Sequence, residues 1–130
     1  MAYYAKGANA ERELMQLFAE KGFSVARVAG SGSNALPCPD LVAMKGNCRL
    51  ALEVKSVSGT YLNIEKPQID EQVHWAKNAG IDYFVVWKVF RKGFFLLKKE
   101  QFRENKMHYA IKVDEAMGKG IELDVFFEGI

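Results

Sequence analysis

The sequence predicts an α/β fold in which a mixed, mostly antiparallel central sheet of about five strands is flanked by helices. Two short apolar runs, at 41–44 and 50–57, are separated by Lys45-Gly46-Asn47, a pattern typical of two strands joined in a hairpin. Stretches at 7–21 and 67–79 have the apolar spacing of amphipathic helices and supply the flanking layer.

Length and composition limit the kinds of protein that the chain can be. A chain of 130 residues, 49% hydrophobic and 26% charged, predicts one domain, residues 1–130. The net charge of +2 is weakly basic, so a DNA-binding surface would have to be locally concentrated. No segment resembles a signal peptide and no apolar run approaches the ~18 residues of a membrane span, so we expect a cytoplasmic protein (host cytoplasm if the gene is viral) without membrane contact. Cys38 and Cys48 are expected to be free thiols.

The hairpin carries charges that an ordinary strand pair would avoid. Side chains alternate across a strand, so Glu53 and Lys55 share a face with Ala51, opposite the apolar residues of the run. A turn near Gly46 brings Asp40 back beside Glu53. Two carboxylates and an ammonium are therefore expected to converge at one edge of the sheet.

Such a pair of carboxylates needs a compensating charge. Removing an ion from water costs several kcal/mol, and two neighbouring carboxylates repel each other. A divalent cation offsets both costs, because Mg²⁺ prefers one or two carboxylates together with water and phosphate oxygens. Asp40, Glu53 and Lys55 thus predict a metal-dependent phosphodiester site. The alternative is a plain surface salt bridge between Glu53 and Lys55.

The first helix is predicted from residue 7 to residue 21. Its apolar stripe is formed by Ala10, Leu14, Leu17 and Phe18. Lys21-Gly22 supplies a basic last turn and a left-handed stop. Glu11 lies at the edge of the stripe, where it could complement the helix dipole or lean over the core towards the metal site.

The next segments follow from turn and helix signals. A strand is predicted at 23–29, a Gly- and Ser-rich loop at 30–38, and a polar loop bordering the site at 56–66. Pro67 suits the first turn of the second helix, and Gly80 its stop. The core-facing stripe of this helix is expected to contain Ile69, Val73, Ala76 and Gly80.

A second stripe of the same helix lies roughly 90–120° from the first by helical geometry. It contains Gln68, Gln72, Trp75 and Ala79. Trp75 is too far round for the core stripe, so it marks a surface for a second copy of the chain or a site covered by the carboxyl-terminal segment. His74 is expected to be a solvated surface histidine.

The carboxyl-terminal half begins with an apolar strand at 83–90 and an antiparallel return at 94–97, joined by Arg91-Lys92-Gly93. The basic residues near its tip are Lys88, Arg91, Lys92, Lys98 and Lys99. They could contact phosphates or belong to an ordinary solvated hairpin. A short edge strand is expected at 109–113 and a short terminal helix or strand at 121–127.

The charged hairpin resembles a known nuclease signature. The PD-(D/E)xK motif is matched by Pro39, Asp40, Glu53 and Lys55. The segments 6–14 (KGANAEREL) and 27–31 (RVAGS) narrow the resemblance to the archaeal-type Holliday-junction resolvases, which are small homodimeric nucleases.

The resemblance implies a restriction-endonuclease-like core and a Mg²⁺-dependent endonuclease, with Mn²⁺ able to substitute, that resolves four-way DNA junctions by paired symmetric nicks. The metal ligands it implies are Glu11, Asp40, Glu53 and the Val54 carbonyl. The catalytic residues it implies are Glu11, Ser31, Asp40, Glu53 and Lys55. The DNA-binding residues it implies are Lys6, Arg12, Arg27, Ser31 and Gln68.

The resemblance also implies a homodimer, because two opposed nicks require two identical sites. The second stripe of the 67–79 helix then supplies the candidate interface: Trp75, Gln72 and Ala79. Two alternatives remain. One is another PD-(D/E)xK nuclease, restriction-like or DNA-trimming, and the other is a catalytically silent DNA-binding module of the same fold.

Overall fold

The computed structural model describes residues 2–28 and 37–130, with side chains described from residue 7 onward. Its helices are α1 (Ala2–Glu20), α2 (Lys66–Ala79), α3 (Val113–Lys119) and α4 (Leu123–Glu128). Its strands are β1 (Ser24–Arg27), β2 (Leu41–Lys45), β3 (Cys48–Lys55), β4 (Tyr61–Glu65), β5 (Asp82–Val89), β6 (Gly93–Leu97), β7 (Arg103–Glu104), β8 (His108–Lys112) and β9 (Ile121–Glu122). A 3₁₀ turn at Lys99–Gln101 follows β6.

The central sheet has, within the described residues, six strands in the order β1-β2-β3-β5-β6-β9. Neighbouring strands are antiparallel except β3 and β5, which run parallel. The predicted mixed, mostly antiparallel sheet is confirmed, and the short β9 adds a strand to the five or so expected. The parallel pair needs a crossover connection, which contains β4 and α2.

A second, smaller sheet corrects two sequence predictions. In the described part of the chain its order is β4-β8-β7. The segment 56–66, expected to be a loop, contains β4, in which Leu62 and Ile64 are buried between exposed neighbours. The polar Asn63 between them lowers the average hydrophobicity, although the alternation itself is a strand signal. The strand expected at an edge, 109–113, is β8, which lies in the middle of this sheet.

The helices confirm most of the predicted stripes and differ at their ends. Gly80, expected in the core-facing stripe of α2, is exposed. α1 begins at Ala2, before the predicted start at residue 7. Among its described side chains, those of Ala10, Leu14 and Phe18 are fully buried. α2 ends at Ala79 and is capped by Gly80, whose φ of 72° is a left-handed conformation that glycine adopts readily. The sequence does not predict α3, and the terminal segment contains both a strand, β9, and a helix, α4.

The central sheet has a hydrophobic core on each face. One core joins α1 and α4 to the sheet, and Phe18 packs edge-on against Phe23 and Phe127 with ring centroids 4.9 Å apart in both pairs. The other joins α2, α3 and the second sheet to the opposite face, around the buried Trp87. Both faces of β3 and β5 are therefore covered, which accounts for their nearly continuous burial.

One end of the central sheet, which we call the site end, contains the segments that the sequence predicts to be functional. Because β2 is antiparallel and β5 parallel to β3, the start of β2 lies beside the ends of β3 and β5. Asp40, Lys55 and the turn after Val89 consequently lie at the same end of the sheet. Met44 and Asp82 lie at the opposite end of the sheet.

Three smaller expectations can be compared with the structure. Cys38 and Cys48 are free thiols, as expected. His74 is exposed on α2. In the part of the chain that the structure describes, no helix combines the length and the apolar character needed to cross a membrane.

Gly120 allows α3 to pack closely against β6. A Cβ at this position would lie 2.6 Å from the Ala116 carbonyl oxygen and 2.6 Å from Leu97 Cδ2. We expect Gly120→Ala to lower the free energy of unfolding by about 1–3 kcal/mol, the usual cost of overpacking. Denaturant unfolding of the variant and the parent measures the difference.

Gly118 is the matched control, because it lies in α3 and a Cβ there meets nothing within 4 Å. Gly118→Ala should leave the stability unchanged or raise it by up to about 1 kcal/mol through helix propensity. Parental stability in Gly120→Ala would mean that α3 can shift away from β6 without cost.

Candidate active site

The β2–β3 hairpin places Asp40 beside Glu53. Leu41 pairs with Leu52, so the residue before the first and the residue after the second are neighbours across the strands. The Val54 N–H donates a hydrogen bond to Asp40 Oδ2 at 2.9 Å. This bond holds the aspartate against the strand that carries the glutamate.

Glu53 is held by three side chains in the interior. Only 4% of its surface is exposed. Gln72 Nε2 donates to Glu53 Oε1 at 3.0 Å, and Gln68 Nε2 donates to Oε2 at 2.8 Å. Lys55 Nζ lies 3.5 Å from Oε2. The orientation of the carboxylate therefore depends on α2 as much as on its own strand.

Gln72 connects Glu53 to two other parts of the fold. Its Nε2 also donates to the Cys38 carbonyl oxygen at 3.1 Å, in the segment that leads into Asp40. Its Oε1 accepts a hydrogen bond from the Tyr83 hydroxyl at 2.6 Å, so the amide nitrogen is left to face Glu53. Burial, with the charges of Glu53 and Asp40, raises the pKa of Tyr83, and the hydroxyl keeps the proton that it donates.

The position of Gln72 corrects the sequence prediction that assigned it to a dimer surface. Gln72 is 5% exposed and belongs to the interior. It is three residues from Ile69 and so only about 60° from it around the helix. The prediction also missed Tyr83, read only as part of an apolar strand. A signal was available in the sequence, because Gln72 and Tyr83 each place a polar group in an otherwise apolar segment. Buried polar atoms need hydrogen-bond partners, so two such groups are candidates to bond to each other or to the site.

Burial and like charge perturb the carboxylates of the site. Burial, followed by the charge of Asp40, raises the pKa of Glu53 to about 7, against the opposing charge of Lys55. Burial and the charge of Asp40 also raise the pKa of Glu11, against Arg27. The negative charge of Asp40 thus acts on both of the other carboxylates of the site. Perturbed groups of this kind concentrate at functional sites.

Glu11 and two arginines form the outer part of the site. Glu11 Oε1 accepts from Arg27 Nε at 3.0 Å, which links α1 to β1. Arg27 is 58% exposed at its side chain, and Arg12 is exposed and donates to Asn9 Oδ1. Glu11 therefore belongs to the electrostatic environment of Asp40, and both guanidinium groups are accessible from solvent.

Two of the remaining predicted site residues cannot be placed, and two others lie apart from this cluster. Ser31 and the Lys6 side chain lie outside the described residues. Trp75 is half-buried and Ala79 is exposed on the flank of α2. Neither is among the described residues that form the two cores, and α4 packs on the face of the sheet opposite to α2.

The basic residues near the β5–β6 hairpin are partly engaged in ion pairs. Lys88 Nζ lies 2.6 Å from Glu13 Oε1, and Lys99 Nζ lies 3.0 Å from Asp70 Oδ1. These two lysines therefore already have protein partners.

The carboxylates of Asp40 and Glu53 suit a hard divalent cation whose remaining ligands are water and phosphate oxygens. Among the described side chains, no group of three Asp, Glu, His or Cys residues could hold a metal ion by itself. Asp40 and Glu53 nevertheless place two like charges together, and the raised pKa of Glu53 reflects their incomplete compensation. Mg²⁺ commonly takes one or two carboxylates and completes its shell with water and phosphate oxygens.

Comparison with known proteins assigns the chain to a family. The family model described as archaeal Holliday junction resolvase (Hjc) matches residues 2–130. This chain belongs to the archaeal Holliday junction resolvase family. The resemblance found in the sequence is confirmed, and with it, at the level of the resolvase family, the prediction of an endodeoxyribonuclease.

Individual members of the resolvase family match most of the chain. Hjc of Archaeoglobus fulgidus, named a crossover junction endodeoxyribonuclease, is 32% identical over 113 residues, 87% of this chain and 82% of the relative. Hjc of Sulfolobus acidocaldarius, with the same name, is 32% identical over 126 residues, 95% of this chain and 87% of the relative. The solved structure of A. fulgidus Hjc, described as a Holliday junction resolvase, matches with a TM-score of 0.84 at 27% identity, over 95% of this chain and 96% of that chain. The predicted fold is confirmed by this match.

Glu53 makes the stability of the metal-free protein depend on pH. Its pKa is about 7 in the folded protein against an ordinary 4.5, so the folded state binds this proton more tightly. The resulting stability is fully present below pH 4.5 and is lost as the pH rises through 7. It amounts to on the order of 3 kcal/mol. In EDTA, the free energy of unfolding of the parent should fall over this range, and Glu53→Gln should remove the decrease.

Glu71→Gln, on the exposed side of α2, is the matched control and should keep the parental pH profile. Denaturant unfolding at a series of pH values measures all three proteins. A Glu53→Gln profile that parallels the parent would assign the pH dependence to another group.

Proposed function

We propose that this chain is a Mg²⁺-dependent endonuclease that resolves four-way DNA junctions by paired, symmetric nicks. The observation that carries the proposal is the buried Glu53 next to the half-buried Asp40, with Lys55 beside it. The four-way junction is the substrate class given by the names of the relatives. A silent binding module is disfavoured, because without catalysis nothing offsets the cost of a buried carboxylate beside a second one.

Cleavage of a synthetic four-way junction, compared with linear duplex and flapped DNA, tests the function. The nicks are mapped on all four strands in Mg²⁺. We expect equivalent nicks on two opposed strands, with 5′-phosphate and 3′-hydroxyl ends. Equal cleavage of linear or flapped DNA would favour another nuclease of the same superfamily, and binding without cleavage would favour the silent module.

The cation would be held by Asp40 and Glu53, with the Val54 carbonyl and Glu11, directly or through water, as further ligands. When bound, a divalent cation supplies an acidified water and neutralises charge on the phosphate. Mg²⁺ suits these hard oxygen donors, and Mn²⁺ should substitute for it. Because Glu53 has a pKa of about 7, it must release a proton on binding, so the affinity for the cation should fall as the pH falls.

Lys55 and the two glutamines would have different roles. The Lys55 ammonium would orient the attacking water and stabilise negative charge that develops on the phosphate. Gln68 and Gln72 would position Glu53 through their hydrogen bonds to its two oxygens. Gln68, expected from the sequence to bind DNA, is therefore assigned this positioning role.

Arg12 and Arg27 would bind the phosphate backbone. Both side chains are exposed beside the outer carboxylate of the site. Contacts of this kind position DNA without reading its bases. Lys6, in α1, and Ser31, which precedes Asp40 in the sequence, complete the proposed set.

A homodimer would bring two identical sites to one junction. A twofold axis relates such sites and makes paired opposed nicks a consequence of geometry. The flank of α2 is the proposed surface, because Trp75 is half-buried within its own chain and Ala79 is exposed. Gln72, which the sequence analysis placed on this surface, is buried and therefore does not belong to it.

Asp40→Asn should abolish cleavage and preserve junction binding. The amide keeps an oxygen that can accept from the Val54 N–H but lacks the charge that holds Mg²⁺. Junction affinity, measured in EDTA, should be unchanged or higher, because an anionic charge near the phosphate is removed. Asp82→Asn, at the opposite end of the sheet, is the control and should cleave like the parent. Mg²⁺-dependent nicking by purified Asp40→Asn would refute the assigned metal site.

Tyr83→Phe should slow cleavage without weakening junction binding. The change removes the donor to Gln72 Oε1, so the amide loses one of the contacts that fix its orientation towards Glu53. Losing one such buried hydrogen bond costs about 1–2 kcal/mol, which corresponds to a decrease of roughly five- to thirtyfold in the single-turnover rate. Tyr61→Phe, an exposed tyrosine in β4, should keep the parental rate. A parental rate in Tyr83→Phe would mean that Gln72 is fixed without it.

Trp75→Ala should weaken the proposed dimer. Truncating an interface tryptophan commonly costs about 2 kcal/mol or more, on the order of a 30-fold loss of affinity. Sedimentation should show a shift towards monomer, and the nicks on the two strands of a junction should become uncoupled. His74→Ala, the exposed neighbour on α2, is the control. A dimer as tight as the parent would place the interface elsewhere, with the apolar tail at 123–130 as the next candidate.

A further inference from the structure

The turn between β5 and β6 lies at the site end of the sheet. Lys55 pairs with Trp87 in the parallel ladder, and Phe90 follows three residues later. A strand rises about 3.3 Å per residue, so Phe90 lies roughly 10 Å further along the chain than Trp87, the residue beside Lys55. About three nucleotides of a DNA strand span this distance, so the turn is within reach of a strand whose scissile phosphate lies beside Lys55.

Phe90 is the most exposed large apolar side chain in the described part of the chain, at 69%. Single exposed apolar residues are common, so exposure alone carries no function. Phe90, however, borders a cleft of about 270 Å³ that is also lined by Ser56, Val57, Lys88 and Arg91. Ser56 directly follows Lys55, so the cleft begins one residue after the end of β3.

The turn combines this aromatic ring with positive charge. The Arg91 guanidinium lies over the Phe90 ring, 5.1 Å from its centroid, and Lys92 is exposed beside it. Arg91 has a φ of 61°, a left-handed conformation that a non-glycine residue adopts at some energetic cost. The turn thus places an exposed aromatic ring next to positive charge, and these are the two kinds of group that bind a base and a phosphate of a single strand.

We propose that Phe90 stacks on an unpaired base of the DNA held in the active site, while Arg91 and Lys92 contact the neighbouring phosphates. The proposal rests on the proposed function for its substrate. Stacking on an aromatic side chain tolerates any base, because every base has a π face. The bases at a branch point are the ones most easily removed from a stack, so the contact would favour branched over fully paired DNA.

Binding of a synthetic four-way junction, measured by fluorescence anisotropy in EDTA, tests the stacking. Phe90→Leu keeps an apolar side chain without a π face and should bind the junction at least about fivefold more weakly. Phe90→Trp should bind like the parent, and the affinity for a fully paired duplex should be the same in all variants. Met44→Leu, an exposed apolar residue at the opposite end of the sheet, is the control. Parental junction affinity in Phe90→Leu would overturn the proposal.

Photocross-linking supplies an independent readout. Junctions carrying 5-iodo-deoxyuridine at each of the three nucleotides on either side of the mapped nick are irradiated in complex with the parent, and the adduct is located by mass spectrometry. We expect an adduct on Phe90 that disappears in Phe90→Leu. Adducts on other residues only would overturn the proposal.

Cleavage assays separate this proposal from the proposed function. A parent protein that cleaves the junction but forms no Phe90 adduct would overturn the stacking and leave the junction-resolving function standing. A parent protein that forms the Phe90 adduct but never cleaves in Mg²⁺ would support the stacking and overturn the function.

Discussion

The constraint on which the structure depends is a glutamate buried next to an aspartate. Glu53 is almost completely removed from water, and the charge of Asp40 adds to the cost of ionising it. Lys55 on the same strand offsets only part of this cost, and further donors come from another element. Gln68 and Gln72 supply them, so the inner side of α2 cannot be purely apolar and must approach β3 in one register. The position of α2 is thus determined by hydrogen bonds as well as by hydrophobic packing.

The two faces of the sheet contribute different parts of the site. The face covered by α1 contributes Glu11, which is half-buried and linked to Arg27. The face covered by α2 contributes the amides that hold Glu53. Asp40 lies where both sets meet, since its charge raises the pKa of Glu11 and of Glu53 alike. A core on each face keeps both helices in place, and a change in either core should therefore be felt at the site.

The features that the sequence predicted are those whose signals are local. The hairpin that joins Asp40 to Glu53 follows from alternation and a turn within a short stretch, and both were recognisable without the fold. The bond between Gln72 and Glu53 spans 19 residues, and that between Tyr83 and Gln72 spans 11, so no periodic pattern reports them. β4 was missed for a different reason. Its buried side chains are separated by polar ones, and the segment resembles a loop in average composition although it alternates like a strand.

The hydrogen bonds and ion pairs of the site differ in how easily they can be broken. The Arg27–Glu11 ion pair is open to solvent on the arginine side, and such pairs contribute only about 0–1 kcal/mol. Arg27 could therefore leave Glu11 for a phosphate at little cost. The hydrogen bond from Gln72 to Glu53 is buried, and breaking it would leave polar groups unsatisfied at about 1–3 kcal/mol each. In the proposed function, Glu53 would thus stay in position while Arg27 moves to a DNA phosphate. Glu11 would then lose the positive charge of Arg27, and its unpaired negative charge beside Asp40 would favour the binding of a divalent cation.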